Sequence, residues 1–139
     1  MAETSGAGGA KTPESEKITI NLGPVDLGQI DLLVAEGFYA NRTDLIRTAI
    51  RNQIARHEDQ MRATLARRRI DLGIRRYGRA DLERAVAAGE VLSIEVLGLV
   101  VIEADVTPEL ALRAIGSIQV LGALQAPPAV KAALKPRMT

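Results

Sequence analysis

Lys17-Ile18-Thr19-Ile20-Asn21-Leu22 alternates polar and apolar positions without a break. Side chains of a strand flip face at each step, so Ile18, Ile20 and Leu22 share one face and Lys17, Thr19 and Asn21 the other. A strand this short needs a partner strand and an apolar layer beneath it. No second strand pattern lies nearby; two helical patterns follow instead. Gly23-Pro24 breaks the extended run, and Pro24 suits the first turn of a helix. Leu27, Ile30, Leu33 and Val34 then recur at helical spacing, with Gly37 as the stop. Phe38-Tyr39-Ala40 makes a short connection, its two aromatics read as packing residues that close the helix pair. Asn41 opens a second helix with Asp44 three residues on, close to a capping arrangement. The simplest arrangement that satisfies the strand is an antiparallel ribbon formed by two copies over a four-helix base. Its core would be Ile18, Ile20, Leu22, Leu27, Ile30, Leu45, Ile46, Ala49 and Ile50.

Past His57 the helical pattern is expected to continue through Met61 and Leu65. It runs into Arg62, Arg67, Arg68, Arg69, Arg75, Arg76 and Arg79, seven arginines within eighteen residues. On helical spacing they surround the axis, which describes a solvated connector over residues 62–79, with phosphate contact as the alternative role. The C-terminal part carries a repeat of period 24. Ser93-Ile94-Glu95-Val96-Leu97-Gly98 returns as Ser117-Ile118-Gln119-Val120-Leu121-Gly122, five identities in six positions. Val106 and Leu110 map onto Val130 and Leu134, and Leu82 and Val86 map onto Val106 and Leu110. Each unit reads as a short helix followed by a strand, with Thr107-Pro108-Glu109 as a helix start and Gly89 and Gly116 as stops. That period is solenoid-like, although the leucine and asparagine ladder of leucine-rich repeats is absent. The predicted class is α+β: a ribbon and two helices at 16–61, a basic helical connector at 62–79, and a repeat module at 80–139. Residues 1–15, small and polar with Gly6, Gly8 and Gly9, are expected to be a disordered tail.

Composition narrows the chemistry. The chain of 139 residues has no cysteine and one histidine, so neither a disulfide framework nor a thiolate or His-rich metal site is expected. No run approaches the ~18 apolar residues of a membrane span. No basic region followed by an apolar stretch opens the chain, so a soluble, cytoplasmic protein is expected. The net charge of +1 is unevenly spread. Residues 17–84 hold one lysine and twelve arginines against nine acids, whereas the flanking stretches are net acidic. Basicity therefore sits with the strand and its helices, where local phosphate contacts would need it. Three aromatics, Phe38, Tyr39 and Tyr77, are too few for a base-stacking surface. His57 lies in a polar stretch with no pocket partners, and Ser93 and Ser117 lack a nucleophile motif. Gly-rich phosphate loops and clustered carboxylates are missing too. No enzyme activity and no cofactor are expected.

The segment from Lys17 to about Met61 resembles the ribbon-helix-helix family of bacterial and phage repressors, the CopG, Arc and methionine-repressor type. The resemblance rests on the Lys-Ile-Thr-Ile-Asn-Leu strand, the break at Gly23-Pro24, and the string Gly37-Phe38-Tyr39-Ala40-Asn41-Arg42-Thr43-Asp44-Leu45-Ile46-Arg47. It covers about a third of the chain. It implies that Lys17, Thr19 and Asn21 read base edges in a DNA major groove. Their chemistry agrees: lysine donates to guanine, asparagine pairs with adenine, and threonine bonds or touches a thymine methyl. The plainer alternative is the solvated face of an amphipathic strand. The resemblance further implies that Asn41, Arg42 and Thr43 clamp a phosphate at the open amides of the second helix, the alternative being an ordinary N-cap. The expected function is a homodimeric, sequence-specific double-stranded DNA-binding repressor associated with the nucleoid. Residues 80–139 would join dimers into higher oligomers or bind a protein partner. Two other readings are an antitoxin whose C-terminal part binds a toxin, and a self-associating scaffold.

Overall fold

The computed structural model describes residues 15–139, so the tail expected at 1–15 lies outside the described residues except for Ser15. Two compact units divide the described chain, Lys17–Arg67 and Arg68–Thr139.

In the first unit, α1 spans Pro24–Ala35 and α2 spans Arg42–Ala55. Pro24 stands in the first turn of α1. Gly37, at φ +87°, ends α1: its N–H bonds the Val34 carbonyl and the Phe38 N–H bonds the Leu33 carbonyl. That double closure needs a left-handed residue, which glycine adopts without a Cβ clash. Asn41 caps α2 as expected, its side chain accepting from the Asp44 N–H at 2.8 Å. The helix does not run on unbroken past His57. A turn at Arg56 and His57 separates α2 from α3, Glu58–Arg68. Residues 17–22 pair with no strand among the described residues, because a ladder needs a second chain segment and this unit has none to offer.

The second unit is a three-stranded parallel sheet in chain order. β1 is Asp71–Tyr77, β2 Leu92–Ile102 and β3 Ile115–Gln125, with α4 Arg79–Ala87, α5 Pro108–Ala114 and α6 Pro128–Leu134 following them in turn. β1 corrects one expectation. The stretch 62–79 is not a helical connector throughout: α3 ends at Arg68, Arg69 turns left-handed at φ 56°, and a strand follows. Arginine density conceals Asp71-Leu72-Gly73-Ile74, which pairs with β2. Gly116 also differs from its expected role, since α5 passes directly into β3 and Gly116 lies inside the strand.

The repeat organises the core of this unit. Ser93 pairs with Ser117, Ile94 with Ile118, Val96 with Val120 and Gly98 with Gly122, so sequence-equivalent residues stand side by side. Leu82, Val106 and Val130, one repeat apart, are all buried, and so are Leu110 and Leu134, with Val86 packed against them. Ile94, Val96, Val100, Ile102, Ile115 and Ile118 supply the sheet side of the same cluster. Leu99, Val100, Val101 and Ile102 are buried in succession, as expected of a central parallel strand. The Ser93 and Ser117 hydroxyls bond each other at 2.9 Å, a structural pairing across the ladder.

Gly73, Gly98 and Gly122 form a row at matching register with φ of 126°, 140° and 130°. A Cβ on Gly98 would stand 2.1 Å from the Gly73 carbonyl oxygen, and one on Gly122 2.1 Å from that of Gly98. Both the backbone conformation and the contact exclude a side chain. Gly98→Ala is therefore expected to abolish the cooperative unfolding transition of the second unit, followed by circular dichroism against denaturant. A Gly98→Ala protein that unfolds at the parent midpoint would show that the row has no structural role.

Candidate nucleic-acid interface

The three side chains expected to read bases, Lys17, Thr19 and Asn21, are all exposed, and they precede α1 in the first unit. Their apolar alternates are exposed as well: Ile18 by 75% and Ile20 by 55%, with Leu22 also open. Along α1 and α2 no residue is buried. Leu27, Ile30, Leu45 and Ile46 are half-buried between the two helices, whereas Ala49, Ile50 and Ile54 face outward. Phe38 does not pack inside the chain as expected; it is 69% exposed, and only Tyr39 is half-buried. Hydrophobic burial contributes ~25 cal/mol per Å², so this unit leaves a large stabilisation unrealised within one chain.

At the start of α2 the geometry supports an anion site in part. The Asn41 side chain occupies the Asp44 N–H, and the Asp44 carboxylate turns back to accept from the Ala40 N–H at 3.0 Å. Among the described residues no acceptor meets the N–H groups of Arg42 and Thr43, and both residues are exposed. These amides carry the positive end of the helix dipole. The Arg42 side chain is differently employed. Its Nε and Nη2 bond the two carboxylate oxygens of Asp31 on α1 at 2.8 and 2.9 Å. This exposed fork-to-fork pair links α1 to α2. Asp31 is the residue that sequence reasoning missed. Its signal was faint: a single acid flanked by Ile30, Leu32 and Leu33, whose partner lies eleven residues away across the helix connection.

Five of the seven arginines of the dense stretch have side-chain partners, three of them within four residues. Arg62 pairs with Glu58 and Asp59, Arg75 with Asp71, Arg76 with Glu103, and Arg79 with Glu83. Arg68 donates to the Gln119 side chain at 2.8 Å. Such exposed pairs add little stability but hold the guanidinium groups near carboxylates. Among the described residues no group of three or more His, Cys, Asp or Glu side chains is placed to hold a metal ion. No helix among them is long and apolar enough to cross a membrane.

A sequence model of the ribbon-helix-helix transcriptional regulator family matches residues 13–131. No curated protein and no solved structure matches the chain.

The Arg42 guanidinium, by hydrogen bond first and by charge second, holds the Asp31 carboxyl below its ordinary value. A carboxyl whose pKa is lower folded than unfolded stabilises the protein above its unfolded pKa, near 4, and loses that contribution as pH falls through the folded value. Asp31→Asn should therefore modestly lower thermal stability at pH 7, and the gap from the parent protein should narrow at acid pH, below the ordinary carboxylate range. An equal gap at both pH values in a thermal melt would rule out the ion pair as its source.

Proposed function

Because the chain belongs to the ribbon-helix-helix transcriptional regulator family, we propose that it is a homodimeric, sequence-specific double-stranded DNA-binding repressor. The observation that carries this reading is the exposed alternating segment 17–22 joined to a helix pair with no buried residue. A second copy resolves both problems at once. Its own segment pairs antiparallel with the first, and the apolar face of Ile18, Ile20 and Leu22 closes over Ile30, Leu45, Ile46 and Ile50 from both chains. Lys17, Thr19 and Asn21 then line the outer face of a two-stranded ribbon, which fits a major groove.

In this reading the α2 amides of Arg42 and Thr43, steadied by the Asn41 cap, take a phosphate from each side of the ribbon and fix its register. The Arg42 side chain must choose between that phosphate and Asp31. The pair with Asp31 makes it first a positioning group for α2 and only second a phosphate ligand. Residues 80–139 serve self-association or a protein partner, and stacking of the helix-strand units in a solenoid manner suits that role. Both an antitoxin and a scaffold would share the same N-terminal chemistry. The antitoxin reading is the weaker one here, because residues 80–139 form an ordered sheet with its own core, whereas antitoxin tails are commonly disordered until bound.

Binding to matched and scrambled duplexes tests the assignment. Asn21→Ala should cost about 1–3 kcal/mol on the preferred site and flatten discrimination. Arg42→Ala should weaken all sequences alike. Asp31→Asn, which frees the guanidinium, should steepen the salt dependence of binding. Equal losses for Asn21→Ala on both duplexes would remove the base-reading role.

The fragment 1–67 should sediment as a dimer at micromolar concentration, since the exposed apolar face is too extensive for a lone chain. A folded monomer at that concentration would overturn the ribbon.

A further inference from the structure

Among the described residues β1 is an edge strand paired only with β2, and it carries Leu72 at 64% and Ile74 at 45% exposure. Exposed edges of this kind are usually covered, charged or bulged to prevent pairing. The opposite edge of the sheet is managed by the chain itself. Met138 bridges to Ile118 in the position where a fourth strand would begin, and the Thr139 N–H bonds the Ile118 carbonyl. Arg137 donates to the carbonyls of Leu112 and Ile115, so the end of α5 is closed too. One end of the unit is capped and the other is open.

We infer that β1 pairs antiparallel with β1 of a second copy across a two-fold axis at Gly73, forming a continuous six-stranded sheet. The self-association reading for the C-terminal part is its premise, and β1 supplies that reading with a surface. DNA binding is not required. The sequence of β1 is self-complementary about Gly73. Asp71 would stand opposite the partner's Arg75, and Leu72 opposite the partner's Ile74, each contact occurring twice. The charged pairs fall on one face and the apolar pairs on the other, as strand alternation requires.

Backbone directions agree. The Gly73 carbonyl is aimed at Gly98, so the groups of the neighbouring Leu72 and Ile74 are those turned outward. Leu72 and the partner's Ile74 would then form hydrogen-bonded pairs, while Gly73 and Asp71–Arg75 fall at the closely approaching non-hydrogen-bonded positions. Asp71 and Arg75 lie 3.8 Å apart within one strand, so each charge keeps a partner before and after pairing. A two-fold contact closes after two copies, whereas stacking β1 on β3 of the next chain would run on without limit. The cap at Ile118 favours the closed form.

The absence of native cysteine makes a direct test available in the full-length protein. Directly opposed strand residues lie at disulfide distance, whereas side chains two apart on one strand do not. Leu72→Cys with Ile74→Cys should cross-link chains under mild oxidation about tenfold faster than Leu72→Cys with Leu121→Cys, the pair that head-to-tail stacking would join. All three positions are exposed, so the core is untouched. Faster linkage in the second variant, or slow linkage in both, would overturn the two-fold pairing. If linkage is slow in both and the parent protein still sediments as more than a dimer, self-association stands and β1 is not its surface.

Discussion

The carbonyl of Gly73 points to where a side chain on Gly98 would stand, and the carbonyl of Gly98 does the same to Gly122. Everything else in the second unit follows from that row. With three glycines in register, the three strands must pair at matching positions, and the helices that follow them are carried into line. The columns Leu82–Val106–Val130 and Val86–Leu110–Leu134 then fall together under the sheet. A one-residue slip would place glycine against a side chain and turn the strand residues of the core cluster outward at the same time.

The two units solve the problem of burial in different ways. Arg68–Thr139 closes around its own cluster, with Leu82, Ile115, Ile118, Val130 and Leu134 almost fully removed from water. Lys17–Arg67 has helices and caps but no residue buried in α1, α2 or α3. Its local structure is secured by hydrogen bonds at helix ends and by the Asp31–Arg42 fork, which need no core. Local order without a core is what the proposed second copy would complete, and proteins of this family generally bind DNA as dimers.

Charge follows the same division. Arginine is abundant between Arg42 and Arg84, yet half of these side chains, Arg42, Arg62, Arg75, Arg76, Arg79 and Arg84, face carboxylates. Net basicity alone therefore overstates how many cations are free to meet phosphate. The proposed interface depends instead on Lys17, on backbone amides at the start of α2, and on whatever share of Arg42 the Asp31 carboxylate yields.

The sequence by itself determined the features that depend on near neighbours. Helix starts at Pro24, Asn41 and Thr107, the stops at Gly37 and Gly89, and the period of 24 were all legible, because each rests on hydrogen bonds or spacings within a few residues. The alternation at 17–22 and the string 37–47 carried the family. Tertiary structure decided what depends on distant partners. β1 was hidden inside an arginine run, and only pairing with β2 makes Asp71–Tyr77 a strand. The break between α2 and α3, the exposure of Phe38 and the placing of Gly116 inside β3 likewise reflect packing that no local pattern encodes. Arg42 illustrates the limit most directly: its position in the motif announces a phosphate contact, but a carboxylate on the preceding helix reaches it first. Local propensity is read along the chain, whereas competition for a side chain is settled across space.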